Sequence, residues 1–151
     1  MSIFLNNLHT RVAPEWTVFL DSKNKKLLES IADKTARKEF TPPASRVLHF
    51  LTVSLSNVKT IILGQDPYPQ EGVATGRAFE VGTLKDWNHP FRNVSLKNII
   101  RLIYKTYYGE ILPYKQIVNW NTDNKLIAGP QELFRNWEQQ GVLLLNTAFT
   151  C

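Results

Sequence analysis

The stretch VKTIILGQDPYP, residues 58–69, constrains what this chain can fold into more than any other. Val58, Thr60, Ile61, Ile62 and Leu63 form a short β-branched and apolar run with one charge, Lys59, and Gly64 ends it. Such a run predicts a strand buried on both faces, the habit of parallel sheets. An amide, a carboxylate, a tyrosine and two prolines follow at once. In open α/β sheets, binding and catalytic groups collect at the carboxyl ends of strands. Pro67 and Pro69 fix φ on both sides of Tyr68 and lower the entropy lost in holding the loop rigid. A stiff, carboxylate-bearing turn at a strand end suggests a built site rather than a connector.

At 151 residues the chain suits one domain with a modest core. Its net charge of +5 leans toward an anionic partner. The excess is uneven, however: residues 1–60 carry nine Lys/Arg against five Asp/Glu, and residues 61–151 nine against eight. The half with the presumptive site is nearly neutral, so charge alone does not argue for nucleic acid. The only cysteine is Cys151, which excludes a disulfide framework. No apolar run reaches membrane-spanning length, and the N-terminus lacks the pattern of a signal peptide. A reducing, cytoplasmic location with no membrane partner is the expectation.

Residues 1–13 read as a loosely held N-terminal arm and residues 14–151 as the domain. Pro14 stands where a first helical turn would start. Asp21 or Ser22 could cap a helix to about Lys38, with Leu27, Leu28, Ile31 and Ala32 inward. Pro42 and Pro43 end that segment, and Val47, Leu48 and Leu51 share a face of a third short helix. After Pro69 the chain is punctuated by Gly72, Gly76 and Gly82, then runs through a polar loop with Trp87, Asn88, His89 and Pro90.

The clearest amphipathic pattern begins near Ser95, with Leu96, Ile99, Ile100, Ile103, Tyr104 and Tyr107 at helical spacing. Gly109 ends it. Residues 110–129 read as an irregular excursion. Pro130 starts a helix carrying Leu133, Phe134 and Trp137, Gly141 sits at its C-terminal cap, and residues 142–145 form a second buried strand ending at Asn146. The architecture expected is α/β with a central parallel sheet. Two buried strands make a poor sheet, since each leaves an outer edge bare.

At residues 64–69 the sequence closely resembles the GQDPYH water-activating motif of family 1 uracil-DNA glycosylases. TPPASRVLHFL (residues 41–51) resembles the family's segment leading into the strand. Gly72, Ala74, Gly76, Ala78, Phe79 and Val81 are similar to its glycine-spaced stretch ending in an aromatic. Leu133, Trp137, Gln140, Gly141 and VLLLNTAFT resemble its second strand with the terminal asparagine. The motifs run in the family's order over most of residues 14–150.

The resemblance implies an enzyme that flips uracil out of DNA and hydrolyses its N-glycosidic bond, leaving an abasic site. It implies no metal or other cofactor, a monomer, uracil-containing DNA (single- or double-stranded) as partner, and protein inhibitors as further partners. Asp66 would orient the attacking water and stabilise the positive charge that develops on the sugar; alone, an aspartate here is more often a turn cap. Asn146 would read the uracil edge with its amide donor and acceptor, where patterning alone favours a strand-end turn. Phe79 would stack on the extruded base, although a lone Phe is usually core. Tyr68 would clash with the thymine methyl or, more plainly, brace a proline turn. Gln65 corresponds to a residue whose backbone helps hold the base. Ser95 would bind a DNA phosphate at a helix start or serve as an ordinary N-cap.

The chain departs from the family pattern in several places. Pro69 replaces the motif's histidine, Arg77 a usually apolar residue, and one proline, Pro90, a proline-rich loop. The family also has two more strands and an HPSP-type segment beyond the point matching Cys151. That segment supplies a histidine to the uracil oxygen and an apolar wedge, and His89-Pro90 precedes the wrong helix to replace it. The expectation is therefore the N-terminal two-thirds of a glycosylase domain. The alternatives are an inactive remnant with residual DNA binding, or a related glycosylase of altered base specificity.

Overall fold

The computed structural model describes residues 3–6, 12–35 and 38–151. Helices α1 (Ile3–Asn6) and α2 (Ser22–Thr35) precede strand β1 (Thr60–Gly64). Helices α3 (Val94–Tyr108), α4 (Tyr114–Asn124) and α5 (Pro130–Gln139) lie between β1 and strand β2 (Val142–Asn146). The strands pair in parallel, Thr60 opposite Val142 through Gly64 opposite Asn146. The fold is thus α/β with a central parallel sheet, two-stranded among the described residues. Its register brings the two polar strand ends to one level.

Each face of the sheet has its own apolar cluster, as the two-residue period of a strand requires. Leu144 faces a cluster built from α3, α4, α5 and the 78–87 stretch, where Ala78, Leu96, Ile100, Ile117 and Phe134 are buried. Leu143 faces a second cluster that includes Phe4, Val47, Leu48, Phe50 and Leu51. Burying a leucine side chain in either is worth roughly 1.5–3 kcal/mol.

The same geometry corrects the expectation for the first strand. Ile61 is 55% and Leu63 58% exposed, against 3% for Leu143. Their β2 partners in register, Leu143 and Leu145, belong to the second cluster. That cluster's helical turns cover β2 and leave β1 bare on this face, while Ile62 packs on the other face.

Other expectations shift for similar reasons. The Oδ1 of Asp21 accepts the Asn24 N–H at 2.7 Å and caps α2. Ala32 is buried and Leu28 half-buried, but Leu27 and Ile31 are exposed because α2 meets protein along one narrow stripe. Of the expected arm, residues 1, 2 and 7–11 lie outside the described residues. Residues 3–6 form a short helix whose Phe4 packs edge-on against Phe40, centroids 5.7 Å apart. Around residues 47–52 the expected helix is a 3₁₀ turn, His49–Thr52, with Val47, Leu48 and Leu51 buried as expected.

The irregular excursion expected at 110–129 contains α4 instead. Ile117 and Val118 are its buried anchors, and Trp120 meets Tyr104 and Tyr108 of α3 edge-on. α3 buries Leu96, Ile100 and Tyr104 as its spacing predicts, while Tyr107 faces solvent. Trp87, in the polar loop, is a core residue whose indole N–H donates to the Ala128 carbonyl at 2.8 Å. No helix among the described residues is long and apolar enough to cross a membrane.

Candidate active site

The two strand ends interlock. A Cβ placed on Gly64 would lie 2.2 Å from Asn146 Oδ1 and 3.0 Å from the Ala78 Cβ. Only glycine lets the Asn146 side chain rest against the β1 backbone. Asn146 is consequently buried, 8% exposed, at the end of an otherwise apolar strand. Beyond the strands the two loops are zipped together. The Thr147 N–H donates to the Gly64 carbonyl at 3.0 Å, and the Ala148 N–H to the Gln65 carbonyl at 2.9 Å. The Thr147 hydroxyl adds a second bond to the Gln65 carbonyl at 2.7 Å. The Gln65 carbonyl is thereby committed to the protein, and its side chain is exposed.

Asp66 emerges from this zipped base with an exposed carboxylate, followed by a buried Pro67 and a half-buried Tyr68. The Tyr68 carbonyl accepts the Thr41 hydroxyl at 2.6 Å. Burial raises the Tyr68 pKa, and the Asn93 side chain beside its hydroxyl opposes that rise. Pro69 is exposed, in the place the resemblance gives to histidine, and lines a cavity of about 660 Å³ with Thr41, Glu71 and Cys151.

Ser95 is exposed in the first turn of α3, but it is not the N-cap. Asn93 occupies the cap position, without a side-chain cap bond. Sequence reading missed Asn93, Thr41 and Thr147 as site supports. Only Thr147, a polar residue directly following the strand-end asparagine, carried a local signal.

Phe79 packs on the same apolar cluster as Tyr68 and has φ +65. Its turn is bounded by charge. Glu80 Oε2 accepts the Thr75 hydroxyl at 2.5 Å and Arg77 Nη1 at 3.0 Å. Arg77 Nη2 donates to Glu138 Oε2 on α5 at 2.6 Å, and Glu138 Oε1 lies 2.9 Å from His49 Nε2. Burial pushes the Glu138 pKa up, but the bonds from His49 and Arg77 outweigh it and hold the carboxyl at about 2. Burial likewise opposes the Arg77 charge, and its two carboxylate partners more than restore it. Arg77, the unusual residue of the glycine-spaced stretch, is therefore neutralised where it is buried, between Glu80 and Glu138.

The strand ends thus bring Gln65, Asp66 and Asn146 together, with Tyr68 and Phe79 seated on one shared core and Ser95 exposed in the first turn of α3. The fold around them is that of solved UNG structures. The wild-type enzyme from Nitratifractor salsuginis matches with a TM-score of 0.68 at 24% identity, over 97% of this chain and 64% of that one. The mimivirus uracil-DNA glycosylase matches at 0.58 and 23%, over 91% and 47%. Another mimivirus UNG structure is a complex with UGI.

In sequence, the uracil-DNA glycosylase of Mycoplasma pneumoniae is 32% identical over 99% of this chain and 56% of its own length. That of Amoebophilus asiaticus is 34% identical over 95% and 58%. No protein-family model matches the chain. The chain is thus similar over nearly its whole length to curated uracil-DNA glycosylases, and it spans a little over half the length of those relatives.

Proposed function

We propose that this protein removes uracil from DNA by hydrolysing the N-glycosidic bond. The observation carrying this is the register Gly64 opposite Asn146, which sets a buried amide beside an exposed carboxylate two residues past the strand end. In this reading Asn146 offers its amide donor and acceptor to the uracil edge. Gln65 borders the base, Phe79 stacks on it, and Tyr68 occupies the space a thymine methyl would need.

Asp66 orients a water for attack on C1′ as the bond to the base breaks. Its fixed negative charge stabilises the cationic sugar in the transition state. Flipping costs least from single-stranded or mismatched DNA, so such substrates should be processed fastest. Ser95 binds a backbone phosphate in this reading, supported by its exposure at a helix start whose free N–H groups favour anions. Protein inhibitors of the family are the expected protein partners. A monomer in the cytoplasm, with no cofactor, completes the proposal.

The test is uracil release from a single-stranded oligonucleotide by this chain and its Asp66→Asn variant. A loss of about 10²-fold or more in the variant, the scale of a preorganised electrostatic group, is expected. Equal release by both proteins would remove Asp66 from the mechanism. A folded chain that releases no uracil but binds DNA with a steep salt dependence would favour the inactive binding module.

A further inference from the structure

Two described non-glycine residues have positive φ, Phe79 at +65° and Lys125 at +51°. Lys125 is an exposed residue closing the end of α4, a routine place for that conformation. Phe79 is not at a helix end and carries a bulky ring. A left-handed aromatic persists only where its surroundings over-determine it. What surrounds it is the bracket on the Glu80 carboxylate.

One oxygen of Glu80 takes both the Thr75 hydroxyl and the Arg77 guanidinium, four residues and two residues before Phe79. Glu80 is buried, 7% exposed, so it cannot leave this arrangement for water without stranding its partners. Arg77 in turn is anchored to α5 through Glu138, and Glu138 to the 3₁₀ turn at His49. The backbone between Thr75 and Glu80 is left with one economical path, and that path turns Phe79 left-handed. Ala78, wedged against the sheet with its N–H toward the Leu144 carbonyl at 3.4 Å, fixes the other side of the ring's attachment.

We propose that Thr75, Arg77 and Glu80 are positioning residues for Phe79, closing its turn so that the ring presents one fixed face to a bound base. The inference rests on the reading of Phe79 as the stacking residue and adds what sets its pose. None of the three touches the base. They act through the backbone of the turn.

Thr75→Val, which removes one neutral bond at nearly constant volume, and Glu80→Gln, which removes the charge, test this. Binding of a uracil-bearing single-stranded oligonucleotide is measured by titration, and the Phe79 ring and amide signals by NMR on the ligand-free chain. Val47→Ala, in the cluster on the opposite face of the sheet, serves as a control for lost stability. Both turn variants should shift the Phe79 signals and weaken binding at least fivefold, with Val47→Ala within twofold of the unmodified chain.

Unmoved Phe79 signals in both variants, or moved signals with unchanged affinity, would overturn the proposal. Phe79→Ala separates the two layers. If it binds as tightly as the unmodified chain, base stacking fails while the turn's effect on the ring can still be seen. If Phe79→Ala loses binding but the turn variants do not, stacking stands and positioning falls. Should the unmodified chain bind no uracil, the functional reading fails and the ring signals alone decide the positioning.

Discussion

At the residue scale, the site depends on a missing side chain as much as on those present. Gly64→Ala would put a methyl 2.2 Å from Asn146 Oδ1, and the strand register leaves Asn146 no equivalent place to go. Overpacking of this kind should cost about 1–3 kcal/mol in urea denaturation. Displacement of the amide should weaken uracil binding tenfold or more, about 1.4 kcal/mol. A variant with unchanged affinity would show that Asn146 does not read the base.

Glu138 makes a second residue-scale prediction. Its carboxyl is held at about 2, below the ordinary 4.5, so its ionised form is favoured by folding. Its contribution is then fully present above about pH 4.5 and is lost as pH falls toward 2. Glu138→Gln should flatten that part of the stability–pH profile. A profile as steep as that of the unmodified chain would place the acid sensitivity elsewhere.

At the scale of elements, glycine and proline punctuation located α5 and β2 correctly, because those residues act through local sterics. Gly141 has φ +96, and a Cβ there would come within 2.3 Å of the Asn57 carbonyl. That close approach joins the α5–β2 corner to the segment entering β1, where the Lys59 N–H donates to the Gly141 carbonyl at 2.8 Å. Gly141→Ala should therefore be costly, about 1–3 kcal/mol from overpacking alone, and more than the same change at Gly109, where nothing lies within 4 Å.

α4 escaped sequence reading because its apolar residues are few and its polar ones many. Its stability comes from docking Ile117 and Val118 on α3's cluster, a tertiary effect. Ile117→Ala should cost about 2–5 kcal/mol by urea midpoint, as for a fully packed core position. A cost below 1 kcal/mol would mean the helix is not needed by the core.

At the scale of the whole molecule, burial is lopsided. Leu143 and Leu144 are enclosed by different clusters, yet Ile61 and Leu63 on the neighbouring strand face outward. Replacing Ile61 and Leu63 together by threonine should change stability by no more than about 0.5 kcal/mol per site, the range for exposed positions. Leu143→Ala should cost about 2–5 kcal/mol. Equal costs would show that the exposed face is covered in solution.

The sequence by itself determined where the strands lie, that they end in Gly64-Gln65-Asp66 and Asn146, and which motifs carry the family resemblance. Those features are local, set by β-branched runs, prolines and glycines within a few residues of each other. Tertiary structure alone decided that Asn146 lies against Gly64, that the Thr41 hydroxyl holds the Tyr68 carbonyl, and that Arg77 meets Glu138 across 61 residues of chain. It also decided that β1 is buried on one face only. Periodicity reports which residues could be buried, whereas packing against distant segments decides which ones are.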